Sequence, residues 1–257
     1  MDPIQGTVLI SGAGSGMGQL AARRFAARGL KVAALDVNDA GLAETAQSGA
    51  MITTWHCDVT DRDAVAQAVA EIEDQLGPIG TLYNGAAIMP LGKLAEQDTA
   101  TIQRIMDINY GGTVNLAKAV LPGMLERRSG NMVNFASMAG WMPALLMGAY
   151  NASKFAVVAF TEVLYHENRD SGVRFACVCP PAVATPLLDQ GRETAWPKMI
   201  EAGPDAIEPA AVLDAIEDAL QAGKFWVFAT RDARIGWRMR RWFPGMIWKY
   251  VHKVEGW

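Results

Sequence analysis

Two rhythms of apolar residues alternate along the chain. Short runs dominated by apolar and small side chains fall near residues 6–11, 31–36, 51–56, 79–83, 131–137, 173–179 and 225–229. Between them, near 17–28, 39–46, 61–76, 99–127, 148–169 and 208–221, apolar residues return every three or four positions. Apolar runs without regular polar alternation predict strands buried on both faces, and the longer period predicts amphipathic helices. Strand following helix following strand predicts an α/β fold: a parallel sheet of about seven strands, doubly wound, with helices on both faces. Right-handed crossovers then put ligands at the carboxyl ends of the strands.

The 257 residues are 51% hydrophobic, enough for a substantial core, and residues 1–257 are expected to form a single domain. Residues 129–153 carry no charge, which is the length of a membrane span, but Asn131, Asn134, Ser137, Pro143 and Asn151 interrupt them. They are read as a buried strand, a loop and a helix start. The opening Met1 to Gly6 lacks the basic and then apolar pattern of a signal peptide, and a cytoplasmic location is expected. Cys177 and Cys179 fall on one face of a predicted strand and are read as core residues in a reducing compartment. His56, His166 and His252 are scattered, so no metal site is expected. A net charge of −4 argues against nucleic acid as a partner.

Candidate chemistry begins after the first strand. Gly12, Gly16 and Gly18, with Ser15 and Met17 between them, stand where a strand gives way to a helix. Glycines let backbone approach a pyrophosphate closely, and helix N–H groups hold its charge. The second strand ends at Asp36, about twenty residues after the loop, where an acid binds ribose hydroxyls and repels a 2′-phosphate. A Rossmann-type nucleotide site taking NAD rather than NADP is therefore expected. Further on, Tyr150 and Lys154 stand four apart in a predicted helix, one above the other, with Ser137 upstream at the end of an apolar run. An ammonium beside a phenol favours phenolate and draws a pKa of about 10 toward neutrality, where proton transfer is efficient.

Taken together these residues resemble the short-chain dehydrogenase/reductase family, from about residue 4 to residue 230. Its glycine loop matches Ser11, Gly12, Gly16 and Gly18; its adenine-holding acidic and apolar pair matches Asp58 and Val59; and its Asn-Asn-Ala-Gly run is matched in part by Asn84, Gly85, Ala86 and Ala87. Its helix-borne asparagine matches Asn109, and its catalytic serine, tyrosine and lysine match Ser137, Tyr150 and Lys154. Its nicotinamide loop matches Pro180, Val183 and Thr185, with Pro181 replacing a flexible glycine. The resemblance implies an oxidoreductase in which Tyr150 carries the substrate proton and Ser137 steadies the substrate oxygen. Lys154 would hold the nicotinamide ribose, and Asn109 would interrupt a helix to hold a water. It also implies a homodimer or homotetramer. A dinucleotide-binding protein without turnover is the alternative.

The substrate side is expected to be apolar. Met138, Trp141, Met142, Leu145, Leu146 and Met147 lie between Ser137 and Tyr150, and Met89, Leu187, Leu188, Trp196 and Met199 extend the bias, the last four from a substrate lid near 186–206. No cation stands ready for a carboxylate, so a hydrophobic alcohol or ketone is the expected partner. Residues 231–257 hold seven Lys or Arg against Asp232 and Glu255, an excess of five that leaves −9 on the rest of the chain. Trp237, Trp242, Phe243, Ile247, Trp248 and Tyr250 interleave with them, and Pro244-Gly245 should split the segment into two helices. Packing on a neighbouring subunit is the favoured reading, with an anionic membrane surface second.

Overall fold

The central predicted strands become strands because both their faces find apolar cover. In the computed structural model, which describes residues 4–256, the strands are β1 (Thr7–Ser11), β2 (Val32–Asp36), β3 (Ile52–His56), β4 (Ile79–Asn84), β5 (Gly130–Phe135), β6 (Val173–Val178) and β7 (Trp226–Val227). They pair in parallel in the order 3-2-1-4-5-6-7. The helices are α1 (Gly16–Ala27), α2 (Asp39–Ala46), α3 (Arg62–Leu76), α4 (Thr99–Met106), α5 (Gly112–Glu126), α6 (Gly148–Glu167), α7 (Pro186–Thr194), α8 (Lys198–Glu201), α9 (Pro209–Gln221), α10 (Arg231–Trp242) and α11 (Pro244–Glu255).

Alternate residues of one strand serve opposite cores. Leu9 of β1 joins Val65 and Ile72 of α3, Leu116 of α5 and Val157 of α6. Its neighbours Val8 and Ile10 join Phe25 of α1 and Ile216 of α9 on the other face. Each such side chain taken fully out of water is worth about 2 kcal/mol, which is why strands with two apolar faces settle in the middle of the sheet. The strand order reverses on either side of β1, since β2 lies to one side and β4 to the other. That reversal opens a crevice at the carboxyl ends of the strands.

A polar network ties those ends together. The Ser11 hydroxyl accepts from the N–H groups of Gly85 (3.0 Å) and Ala86 (3.2 Å). The Asn84 amide donates to the Thr113 carbonyl (2.9 Å) and to Asn134 (3.3 Å), whose own amide donates to the Thr161 hydroxyl (3.2 Å). All these side chains are buried, so each satisfied group avoids the penalty of an unpaired polar atom.

The structure departs from the sequence reading in three elements. The helix predicted over 99–127 is α4 and α5 joined by a π turn at Asp107–Gly111. The strand predicted over 131–137 stops at Phe135, and Ser137 instead caps a single 3₁₀ turn, Met138–Gly140, its hydroxyl accepting from Ala139 N–H at 3.1 Å. The strand predicted over 225–229 shrinks to two residues at the sheet edge, where only β6 offers partners. Every peptide bond among the described residues is trans, that between Pro180 and Pro181 included.

Candidate active site

At the switch point β1 leads through the glycine loop into α1. Gly12 (φ 72°) and Gly16 (φ 53°) take left-handed conformations that favour glycine. A Cβ on Gly18 would drive into the Gly12 carbonyl, so only glycine lets the helix start this close to the strand. The N-cap Ser15 makes no side-chain cap, and no acid lies in the first turn of α1. The positive end of the helix dipole is therefore left for an external anion. Asp36, at the end of β2, accepts from the Gly14 N–H (2.8 Å) and the Asn38 N–H (3.0 Å), which holds its carboxylate against the loop.

These residues line a cleft of about 380 Å³. Of the residues expected to hold a dinucleotide, Gly12, Ser15, Gly16, Met17, Gly18, Asp36, Asp58, Val59, Ala86 and Thr185 all border it. Asn84 does not. It is 3% exposed and spends its amide on the strand-end network, so its neighbours Gly85, Ala86 and Ala87 present the backbone there instead. Arg104 of α4 also borders the cleft and was missed, because nothing in its local sequence distinguishes it from an ordinary exposed helix residue. Glycine-relieved backbone, an uncapped helix end and a well-placed acid together fit a dinucleotide.

A second cavity, of about 480 Å³, adjoins the first and shares Met17, Gly85, Ala87, Phe135, Thr185 and Leu187 with it. Ser137, Tyr150 and Lys154 line it, as do Pro180 and Val183. Tyr150 and Lys154 stand one turn apart on α6, with the ammonium 5.8 Å from the phenol ring centroid. Lys154 is 3% exposed and donates to the Phe135 carbonyl at 2.8 Å. Burial pushes the Tyr150 phenol up to about 12, against which a hydrogen bond with Ser137 pulls it down. Burial likewise brings Lys154 down to about 8. The expected lowering of the Tyr150 pKa by Lys154 is thus absent. Desolvation dominates, and the Lys154 ammonium is turned to the Phe135 carbonyl.

Asn109 sits in the π turn and grips the β4–α4 loop from both sides. Its carbonyl oxygen accepts from Ile88 N–H (2.8 Å), and its amide donates to the Ile88 carbonyl (3.0 Å) and the Ser153 hydroxyl (3.0 Å). Ser153 in turn donates to the Tyr150 carbonyl (2.8 Å), so Asn109 links that loop to the helix turn carrying the phenol. Asn151 does similar work beside it, donating to Ala139 O (2.7 Å) and accepting from Ala144 N–H (3.2 Å).

The apolar walls include Met89, Met138, Met142, Met147, Leu187 and Trp196. Leu188 and Met199 join them. Trp141 and Leu145 do not line this cavity. Trp141 turns into an aromatic cluster, 5.2 Å from Trp226 and 5.7 Å from Trp237, because α10 folds back over it. Leu145 lies on a loop that reverses at Leu146 (φ 67°) and stays outside the lining. In exchange α10 and α11 bring Asp232, Ala233, Gly236 and Tyr250 to the cavity, which no local pattern in their sequence could reveal.

The family model for short chain dehydrogenases matches residues 6–196, which include every element just described up to α7. The chain belongs to the short-chain dehydrogenase family. Among solved structures, this short-chain dehydrogenase is similar to a family member from Burkholderia phymatum in complex with NAD, at 26% identity and a TM-score of 0.85 over 96% of both chains. It is also similar to an actinorhodin polyketide ketoreductase variant solved with NADPH, at 28% identity and a TM-score of 0.80 over 87% of this chain and 95% of that one. Among curated proteins, the inactive 2-(S)-hydroxypropyl-CoM dehydrogenase 2 of Xanthobacter autotrophicus is 41% identical over 67% of this chain and 74% of its own length. No helix among the described residues of this short-chain dehydrogenase is long and apolar enough to cross a membrane.

Proposed function

We propose that the chain interconverts a hydrophobic secondary alcohol and its ketone with NAD as the hydride partner. The observation that carries this reading is that Ser137, Tyr150 and Lys154 line one methionine-rich cavity that adjoins the nucleotide cleft. The bound nicotinamide supplies hydride acceptance in one direction and donation in the other. Tyr150 takes the hydroxyl proton as the alcohol is oxidised and returns it as the ketone is reduced. Ser137 donates to the substrate oxygen, a fixed dipole that needs no reorganisation when charge develops there. Lys154, held by the Phe135 carbonyl, supplies positive charge beside Tyr150 and would hold the cofactor ribose. Residues 186–206 act as the lid, latched by Met89 N–H to Gln190 Oε1 (2.5 Å) and Leu91 N–H to the Thr194 hydroxyl (2.8 Å). Phe155 and Val163, both exposed on α6, support a homodimer or homotetramer built through that helix.

Reduced-nicotinamide formation across a panel of hydrophobic secondary alcohols, with NAD and NADP in parallel, tests the proposal. Asp36 carries the cofactor choice, since its carboxylate opposes a 2′-phosphate. We expect Asp36→Ala to narrow the preference for NAD over NADP by about tenfold, in line with the loss of one charged contact. A parent that already turns over faster with NADP would refute the assignment, and Arg104 in the same cleft would then be the cation to examine.

The inactive relative motivates a second reading, in which the chain binds a dinucleotide without turning it over. Binding of NAD with no Tyr150-dependent turnover on any panel member would favour it.

A further inference from the structure

The last two helices expose apolar residues that the fold does not use. Trp242 is 73% exposed, Phe243 55%, Met246 50% and Ile235 47%. Residues 241–246, where α10 turns into α11, are exposed without a break, so a large indole and a phenyl ring stand open at the corner between the two helices. Helical spacing puts Ile235, Arg238 and Trp242 on one face of α10, and Met246, Lys249, Tyr250 and Lys253 on one face of α11. Other residues of the same two helices anchor the corner to the fold. Val251 is fully buried, Trp237 packs on Trp141 and Phe228, and the buried Glu255 accepts from Met199 N–H at 2.9 Å.

Charge says what covers this surface. The segment carries Arg231, Arg234, Arg238, Arg240, Arg241, Lys249 and Lys253, and among the described residues none of the seven forms an ion pair. Of its two acids, Glu255 is buried and occupied, and Asp232 lies at the cavity. Two copies meeting through this patch about a twofold axis would set like charges against each other. A layer of anionic lipid headgroups would complement them, with the aromatic corner entering the interface below.

We infer that the α10–α11 corner docks the protein on anionic membrane surfaces. Tyr250 gives the docking a purpose, because it is 53% exposed on the same face and also lines the substrate cavity. An apolar alcohol or ketone dissolved in the bilayer therefore meets the cavity beside the docked surface. This last step rests on the apolar substrate proposed above; the docking itself does not.

Co-sedimentation of the full chain with phosphatidylcholine vesicles, with and without phosphatidylglycerol, tests the docking. Binding is expected to be at least about tenfold tighter to the anionic vesicles and to weaken as salt is raised. A triple variant, Trp242→Ser, Phe243→Ser and Met246→Ser, and a charge variant, Arg238→Glu and Arg241→Glu, should each lose about tenfold or more of that binding while keeping the parent's thermal midpoint. Absence of binding to anionic vesicles at low salt overturns the inference, as does binding that neither variant weakens. So does a fall in oligomer mass in the triple variant by light scattering, which would assign the patch to a second copy. Vesicle binding without Tyr150-dependent turnover would leave the docking standing and remove the enzymatic reading; turnover without vesicle binding would do the reverse.

Discussion

Tyr150→Phe is expected to bind NAD as the parent does and to lose about a thousandfold or more of turnover, the scale of a lost general acid and base. The substitution removes one oxygen from a 5% exposed ring and leaves its packing among Met89, Leu91, Met147 and Leu188 intact, so folding should be unaffected. The raised phenol adds a directional signature. With a pKa of about 12, Tyr150 is protonated at neutral pH and already holds the proton that ketone reduction requires. Alcohol oxidation needs the phenolate, so its rate should climb with pH through the neutral and alkaline range while reduction does not. Steady-state rates in both directions against pH check this. Turnover in the Phe variant within tenfold of the parent would remove Tyr150 from the chemistry.

Lys154→Met is expected to abolish turnover as well, yet to raise stability near neutral pH. The ammonium is buried, and its folded pKa of about 8 lies below the ordinary 10.5. In the pH interval between those values the unfolded chain holds a proton that the folded chain has released, so stability from this group rises with pH across the interval. Below about pH 8 both states are protonated and the cost of burying the charge is borne in full. Methionine has similar reach and no charge, so it removes that cost, offset in part by leaving the Phe135 carbonyl without its donor. The stability gap between variant and parent, from denaturant melts, should be widest below pH 8 and shrink toward pH 10.5. A gap that does not change with pH would mean that Lys154 is not buried as an ammonium in solution. A variant that keeps parental turnover would contradict its role beside Tyr150.

The two variants also separate chemistry from architecture. One leaves a hydrophobic ring in place and changes only a proton carrier. The other changes the electrostatics around that carrier and is read against a stability change of opposite sign, so loss of fold cannot explain both losses of rate.

Local sequence determined the parts of this protein that depend on neighbours along the chain. The alternation of doubly covered strands with amphipathic helices set the parallel sheet, because apolar period and strand length are local quantities. The glycines of the first loop were legible for a similar reason, since left-handed backbone at Gly12 and Gly16 and the closeness of Gly18 to Gly12 are demands a side chain cannot meet. Tyr150 and Lys154 were legible because one helical turn fixes their adjacency. What tertiary structure alone decided is everything that depends on burial and on distant partners. Asn84 reads locally as a cofactor ligand but is consumed by Thr113 and Asn134. Trp141 reads as a pocket wall but is claimed by Trp226 and Trp237. The proton affinities of Tyr150 and Lys154 moved opposite to what an exposed pair would show for the phenol, because desolvation is set by all the surrounding chain. The closing wall of the cavity comes from Asp232, Gly236 and Tyr250, whose sequence carries no sign of it, since only the fold brings the end of the chain back over its centre.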